Sequence, residues 1–179
     1  MRATRHSAVI ALLLLLSAGV QCASAADAHN ASANSSGPKV ELSAGSAQPR
    51  QLEDTTESAI VRDYAAAWKA LATAMNENRG DALDAGFVGI AREKFATAIA
   101  EQKRVGLRRR FTDRGHKLQA LFYSPEGSAM QLRDVAQLEL EILDGNTVIH
   151  REQLTQPYLV LMTVGEGSWK VRVLEEMAK

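Results

Sequence analysis

This sequence has little cysteine, few aromatic residues and no excess of either charge. Of its 179 residues one is cysteine and 5% are aromatic, and 21 Lys and Arg side chains balance 21 Asp and Glu. A single cysteine excludes a domain built on disulfides. A hydrophobic content of 46% excludes a disordered polyelectrolyte, and no apolar run reaches the ~20 residues that repeated membrane spans would need. The composition is that of an ordinary globular chain.

The first 25 residues have the pattern of an export signal. Arg2 and Arg5 precede the apolar run 9–16, and residues 23–25 are the small residues Ala-Ser-Ala, where a signal peptidase cuts. We therefore predict a signal peptide over 1–25 and export to a bacterial periplasm or the cell exterior. Cleavage removes Cys22, so the mature chain has no cysteine and its stability does not depend on disulfides.

Two other fates of this segment are weaker interpretations. A lipoprotein would carry its lipid on Cys22, but Gln21 stands where a small residue is expected. A signal-anchored form would need about 20 apolar residues, and the apolar stretch ends near Val20. Cleavage after Ala25 is therefore preferred.

The composition changes at about residue 52. Residues 26–52 are rich in Ala, Ser, Asn, Gly and Pro and contain no aromatic side chain, whereas all nine aromatic residues lie in 53–179. A segment so poor in large side chains cannot bury enough surface to offset its ordering entropy. We predict a disordered tether over 26–52 and one folded domain over 53–179.

Two helices are predicted at the start of the domain. Residues 54–57 form a capping-box pattern, and apolar residues then recur at steps of three and four up to the stop signal at 78–80. A second helical stretch runs to about Arg104. Gly86 and Gly89 predict that this stretch splits into a short turn and a longer helix.

Beyond Gly115 the hydrophobic period changes to two, which predicts strands. The predicted strands are 117–123, 131–143, 147–151, 158–164 and 169–174. The glycines of Asp144-Gly145-Asn146 and Gly165-Glu166-Gly167 predict tight hairpins. Two helices followed by about five mostly antiparallel strands indicate an α+β fold, in which the helices cover the apolar face of the sheet.

The opening helix with Tyr64 and Trp68, the strand 136–141, and the closing blocks 158–162 and 167–171 form a distinctive order. This order resembles the nuclear transport factor two-like superfamily of cone-shaped α+β domains, and implies N-terminal helices on a curved, mostly antiparallel sheet. The pattern is most similar to non-catalytic, membrane-associated assembly members. Enzymatic members, such as ketosteroid isomerases and polyketide cyclases, use the cone as a pocket that holds a carboxylate and a Tyr or His.

Asp134 is the sharpest candidate for chemistry. It falls in register with Leu132 and Ala136 on an otherwise apolar face, where a carboxylate would be desolvated and could act as the general base of an isomerase-like cone. Alternatively, a bulge or a frayed strand start turns Asp134 to water. Val135, apolar on the polar face, favours this alternative, because one register shift would explain both residues.

His150 is the second catalytic candidate. With a two-residue hairpin loop it would pair with Glu139 or Glu141 on the outward face. With a three-residue loop it would lie opposite Leu140 and turn into the cone. The sequence leaves both loops open, and the exposed pair is the commoner arrangement.

Five aromatic residues are candidates to line a pocket in the cone, although aromatic residues at helix or strand spacing more often belong to a core. They are Tyr64, Trp68, Tyr123, Tyr158 and Trp169. The sequence has no zinc-binding, nucleophile-elbow or phosphate-loop motif. We therefore predict no metal site and no cofactor.

Charge is concentrated in one stretch, which we call the basic segment. Residues 103–117 contain seven basic side chains and one acid, whereas 53–102 and 118–179 each contain five basic and nine acidic residues. The seven are Lys103, Arg104, Arg108, Arg109, Arg110, Arg114 and Lys117. They could bind an acidic protein, an anionic lipid or an anionic polymer, or pair with the carboxylates of the domain. Nucleic acid is disfavoured, because Phe111 is the one aromatic residue among them.

These features favour an exported, non-catalytic binding or assembly module, which contacts its ligand through the basic segment or the cone. A homodimer through the sheet is a further expectation. The alternatives are a small-molecule isomerase or cyclase that uses Asp134 with a Tyr or His150, and a periplasmic assembly domain of a secretion system. A dry cone with Asp134 buried favours the enzyme, whereas a cone filled by Trp68, Phe95 and Trp169 favours the binding module.

Overall fold

The computed structural model describes residues 38–45 and 47–178, so the predicted signal peptide lies outside the described residues. The strands are β1 (Lys39–Ser43), β2 (Gln48–Pro49), β3 (Leu107–Tyr123), β4 (Ala129–Asp144), β5 (Thr147–Gly165) and β6 (Ser168–Glu176), and the α-helices are α1 (Asp54–Glu77) and α2 (Gly89–Arg104). A 3-10 helix, Gly80–Ala85, precedes α2. Within the described ranges, no helix is both long and apolar enough to cross a bilayer.

Helix α1 forms because one of its faces is apolar along its whole length. Ile60, Tyr64, Trp68, Leu71 and Met75 are all buried against the sheet side of the core. The helix begins at the predicted position, but Glu53 and not residue 54 is the N-cap, and no side chain caps the first amides. It ends as predicted, where Asn78 takes the left-handed conformation and donates its N–H to Ala74.

The six strands form one mixed sheet in the order β1-β3-β4-β5-β6. Strands β3 to β6 are antiparallel neighbours, whereas β1 and the short β2 run parallel to β3. The helices cover one face of this curved sheet and enclose a continuous apolar core. The predicted α+β fold class is confirmed.

The folded part begins earlier than the composition predicted. Residues 39–43 were expected in a disordered tether, but they form β1 and pair with residues 115–119 of β3. Val40 and Leu42 pack against the core from this strand. The tether prediction is therefore wrong for this stretch, because two apolar residues at strand spacing are enough to add an edge to a sheet that is already formed.

Two strands are longer than the pattern indicated. Strand β3 starts at Leu107, ten residues before the predicted start, and the segments expected at 147–151 and 158–164 join in the continuous strand β5. The added part of β3 is polar, and charged pairs across the strands, such as Arg110 with Glu141, replace apolar contacts there. Apolar alternation therefore did not mark this part of β3, although it pairs with β4 along its length.

Candidate functional site

Four polar side chains form a hydrogen-bonded chain through the core, which we call the buried network. The Tyr64 hydroxyl donates to Asp134 Oδ2 over 2.8 Å, and His116 Nδ1 lies 2.8 Å from the same oxygen. His116 Nε2 lies 3.0 Å from Asp113 Oδ2. Tyr64 and Asp134 have no exposed surface, and His116 is 2% exposed. The network therefore joins α1, β3 and β4 in the middle of the domain.

Asp134 reaches the network because β4 keeps its register. The pairing of β4 with β5 runs without a shift from Ala129 to Ile142, and Leu132 and Ala136 are buried on either side of Asp134. The face predicted from the alternation is thus the observed one. The alternative, in which a bulge or a frayed start turns Asp134 to water, is wrong.

A bulge in β3 supplies the other half of the network. The β3–β4 register shifts between Asp113 and Gly115, so that Arg114 is the extra residue and the core face continues at His116. Gly115 has φ +146° and its N–H donates to Asp113 Oδ1 over 3.0 Å. Asp113 and His116, three residues apart, therefore point to the same side of the sheet.

The two carboxylates keep His116 protonated. Burial by itself would lower the pKa of His116, but the hydrogen bonds and negative charges of Asp113 and Asp134 outweigh it and raise the pKa to about 9. An imidazolium can donate from both ring nitrogens, as the two contacts require. Burial, with the Asp134 charge, raises the pKa of Tyr64 well above its usual value, so Tyr64 is a neutral donor.

A cleft opens between α1 and β3 beside this network, with a volume of about 540 Å3. Its wall is formed by Pro38, Ala65, Ala66, Trp68, Lys69, Ala72, Phe111, Thr112 and Asp113. Trp68 and Asp113 belong to the cleft wall and also contact His116, the Trp68 ring at a centroid distance of 4.6 Å and Asp113 through its hydrogen bond. The α1–β3 cleft is thus a largely apolar trough with the Asp113 carboxylate in its wall and the buried His116 imidazolium behind that wall.

The five aromatic candidates divide between two places. Tyr64, Trp68 and Tyr158 pack around the buried network, with Trp68 and Tyr158 in edge contact at 5.7 Å. Tyr123 and Trp169 pack on each other at 6.3 Å in another part of the core. Trp68 is the member of this set that lines the α1–β3 cleft. The cone interior is therefore filled by aromatic side chains.

His150 does not join Asp134. It pairs with Ile142, and its half-exposed side chain lies 3.4 Å from Glu152. Neither predicted partner is found, because the hairpin loop has two residues but Ile149 forms a bulge that shifts the register by one. The histidine that contacts Asp134 is His116.

Most of the basic segment is paired within the domain. Arg104 pairs with Glu101, Arg110 with Glu141, and Arg114 with Glu139, while Arg108 donates to Gly145 O and Asn146 Oδ1. The hydrogen bonds of Arg110 and Arg151 lower the pKa of Glu141. For Lys103 and Arg109, no carboxylate partner is found among the described residues.

The buried network does not have the arrangement of a metal site. Asp113 and Asp134 contact opposite nitrogens of the His116 ring, so their oxygens do not converge on one point. In the part of the chain that the structure describes, no group of three or more His, Cys, Asp or Glu side chains could hold an ion.

Helices on one face of a curved mixed sheet define a nuclear transport factor two-like, cystatin-like cone, and the predicted resemblance is confirmed at the level of fold. The intermembrane space region of the chloroplast protein ARC6 is similar, with a TM-score of 0.60 and 15% identity over 73% of this chain and all of that one. A putative scytalone dehydratase from Novosphingobium aromaticivorans has a TM-score of 0.45 and 13% identity, covering 69% and 85%. A domain of unknown function from Nostoc punctiforme has a TM-score of 0.39 and 15% identity, covering 72% and 80%.

These similarities concern the fold alone. No protein-family model matches the chain, and no curated protein sequence matches it significantly. A shared fold does not determine function, so function has to be argued from the site.

Sequence reasoning singled out Asp134 but missed its partners. His116 was not among the candidates from the sequence, and Asp113 entered only as the one acid in residues 103–117. The signal that could have found them is Asp113-Arg114-Gly115-His116, in which a glycine next to a bulged residue brings the acid and the histidine to one face.

Proposed function

We propose that this domain is an exported, non-catalytic binding module whose ligand site is the α1–β3 cleft. The observation that carries the proposal is the cleft itself: a trough of about 540 Å3, apolar in most of its wall, with one carboxylate, Asp113, held in place by hydrogen bonds. Cavities of this size and lining are typical of small-molecule sites. The ligand is largely apolar and carries a hydrogen-bond donor for Asp113.

The filled cone supports binding over catalysis. Trp68 and Trp169 are buried and Phe95 packs against the core, as expected for a binding module. Asp134 is buried too, which alone would favour an enzyme, but it has no exposed surface that a substrate could reach. A ligand in the cleft would contact the Trp68 ring and Asp113, and could touch Asp134 only if the core opened. The rest of the buried network therefore lies behind the wall, where His116 holds Asp113 by a hydrogen bond and packs against Trp68.

The test uses two bicyclic probes of similar size. We expect 2-naphthol, which has one hydroxyl donor, to bind more tightly than 2-methoxynaphthalene, which has none, by about tenfold, because a hydrogen bond to a charged acceptor contributes roughly 1.5 kcal/mol or more. Ala66→Phe places a ring in the cleft at an exposed position and should abolish binding of both probes. Ala100→Phe makes the same change at an exposed position of α2 outside the cleft wall and should leave binding unchanged. Equal binding by wild type and Ala66→Phe would refute the cleft as the site.

Acid–base catalysis is a second candidate function, and one observation favours it. Asp113 lines the cleft and is hydrogen-bonded to His116, which is hydrogen-bonded to Asp134. Asp113 could accept a proton at the cleft wall, and the hydrogen bonds through His116 would spread the change in charge to the buried Asp134. If it does, the protein should accelerate deuterium exchange at the carbon next to the carbonyl of 2-tetralone in D2O, and Asp113→Asn should remove the acceleration. Exchange at the buffer rate would leave binding as the function.

A further inference from the structure

Basic and apolar side chains from three parts of the chain meet at the end of the sheet where β4 ends. Leu107 pairs with Asp144, Glu141 pairs with both Arg110 and Arg151, and β3 continues directly from the end of α2. Residues 101–110 and 141–152 therefore lie at one end of the domain. We call this region the basic pole.

The basic pole has the opposite charge to the rest of the domain. It contains six basic and four acidic residues, whereas the remainder of 53–179 contains 11 basic and 15 acidic residues. Two of the basic side chains, Lys103 and Arg109, have no carboxylate partner among the described residues, and Arg108 is bonded to the hairpin loop through Gly145 and Asn146. Positive charge at this end is thus only partly neutralised.

Three aliphatic side chains project from the same end. Val105 is 47% exposed in the turn after α2, and Val148 and Ile149 are 37% and 57% exposed at the start of β5. Ile149 is the bulged residue between Val148 and His150. The Arg108 hydrogen bonds tie β3 to the hairpin loop, so these side chains are presented by a loop that is fixed before any contact is made.

We propose that the basic pole docks on an anionic lipid surface, with Val148, Ile149 and Val105 inserted among the headgroups. Exposed aliphatic side chains in one turn and beside another suit a fluid interface, because a bilayer accommodates protruding side chains without a shaped pocket. Cationic side chains beside them gain from the negative surface potential. An acidic protein partner would pair with the charges but would need a shaped hydrophobic pocket for each tip. The lipid surface is therefore the occupant that uses both features.

The test is co-sedimentation of the domain with vesicles of phosphatidylcholine alone and of phosphatidylcholine with 30 mol% phosphatidylglycerol. We expect binding to the anionic vesicles only, with affinity that falls steeply from 50 to 500 mM NaCl. Arg109→Gln should weaken binding about fivefold, since each basic residue near an anionic surface contributes roughly that much. Ile149→Asn should weaken it about tenfold through the lost apolar contact.

Two matched variants separate the pole from general surface effects. Ile90→Asn changes another exposed isoleucine, which is 61% exposed at the start of α2, and Arg133→Gln changes an exposed arginine on β4; both should bind like wild type. The proposal is overturned if Ile149→Asn binds like wild type. It is also overturned if soluble polyglutamate binds as tightly as the vesicles and Ile149→Asn weakens neither kind of binding. That result would identify an acidic protein as the partner.

Discussion

At the scale of single residues, the molecule is organised around one buried cluster of charges. His116 donates to Asp113 and Asp134, and Asp134 also accepts from Tyr64. Among the described residues, no other charged side chain contacts Asp134 or His116, so the carboxylates and the imidazolium offset one another's desolvation. The hydrophobic alternation of β4 was sufficient to place Asp134 inside. It could not identify the partners, since these depend on a one-residue bulge that no periodicity reveals.

Removing one member of the buried network should be costly. Asp134→Asn leaves His116 with one carboxylate and is expected to lower the free energy of unfolding by about 3 kcal/mol, whereas Tyr64→Phe, which removes one hydrogen bond, should lower it by about 1 kcal/mol. Urea denaturation followed by circular dichroism measures both. Glu126→Gln, at an exposed turn position, is the matched control and should be neutral. A neutral Asp134→Asn would mean that the charge is not held by His116.

The same network predicts how stability depends on pH. The pKa of His116 is about 9 in the folded protein and about 6.5 in the unfolded chain. Its contribution to stability is therefore complete below about pH 6.5 and is lost as the pH rises to about 9, a loss of up to about 3 kcal/mol. Urea denaturation at several pH values between 6 and 10 measures this loss. His116→Gln should be less stable than wild type at pH 6 and should show a smaller decrease toward pH 9; parallel curves for the two proteins would contradict the assignment.

At the scale of elements, strand β1 and the start of β3 determine the shape of the site. Pro38, just before β1, lines the cleft, and Gly115 of the bulge pairs with Lys39 of β1, where a Cβ on Gly115 would be 3.1 Å from Lys39 O. Composition placed residues 39–43 in a tether, because this edge strand has only two partly buried side chains, Val40 and Leu42, and its neighbours along the chain are small and polar. Long-range pairing with β3, which a single sequence does not display, decides the structure here.

The edge strand can be tested by two neighbouring substitutions. Leu42 packs against the core and Glu41 is exposed. Leu42→Ala is expected to lower the free energy of unfolding by about 1 to 2 kcal/mol, less than for a fully buried leucine, whereas Glu41→Ala should be close to neutral. Chemical denaturation of the two variants decides the matter. A tether in place of β1 would make both substitutions neutral.

At the scale of the whole molecule, the domain separates its core chemistry from its surface. The aromatic residues that the sequence offered as a pocket lining fill the cone. The basic segment does not form one patch, because its residues are spread over the end of α2 and both faces of β3. The sequence predicted the fold class, because helix and strand periods depend on local spacing. It could not predict which basic residues are paired, because the carboxylates of Arg110 and Arg114 come from β4, 31 and 25 residues away along the chain.

Binding in the α1–β3 cleft is tested most directly by backbone amide chemical shifts during a titration with 2-naphthol. We expect shift changes that cluster on Ala65, Ala66, Ala72, Phe111 and Thr112 and leave the outer face of β4 and β5 unchanged. Changes confined to that outer face, or a uniform response across the domain, would contradict it.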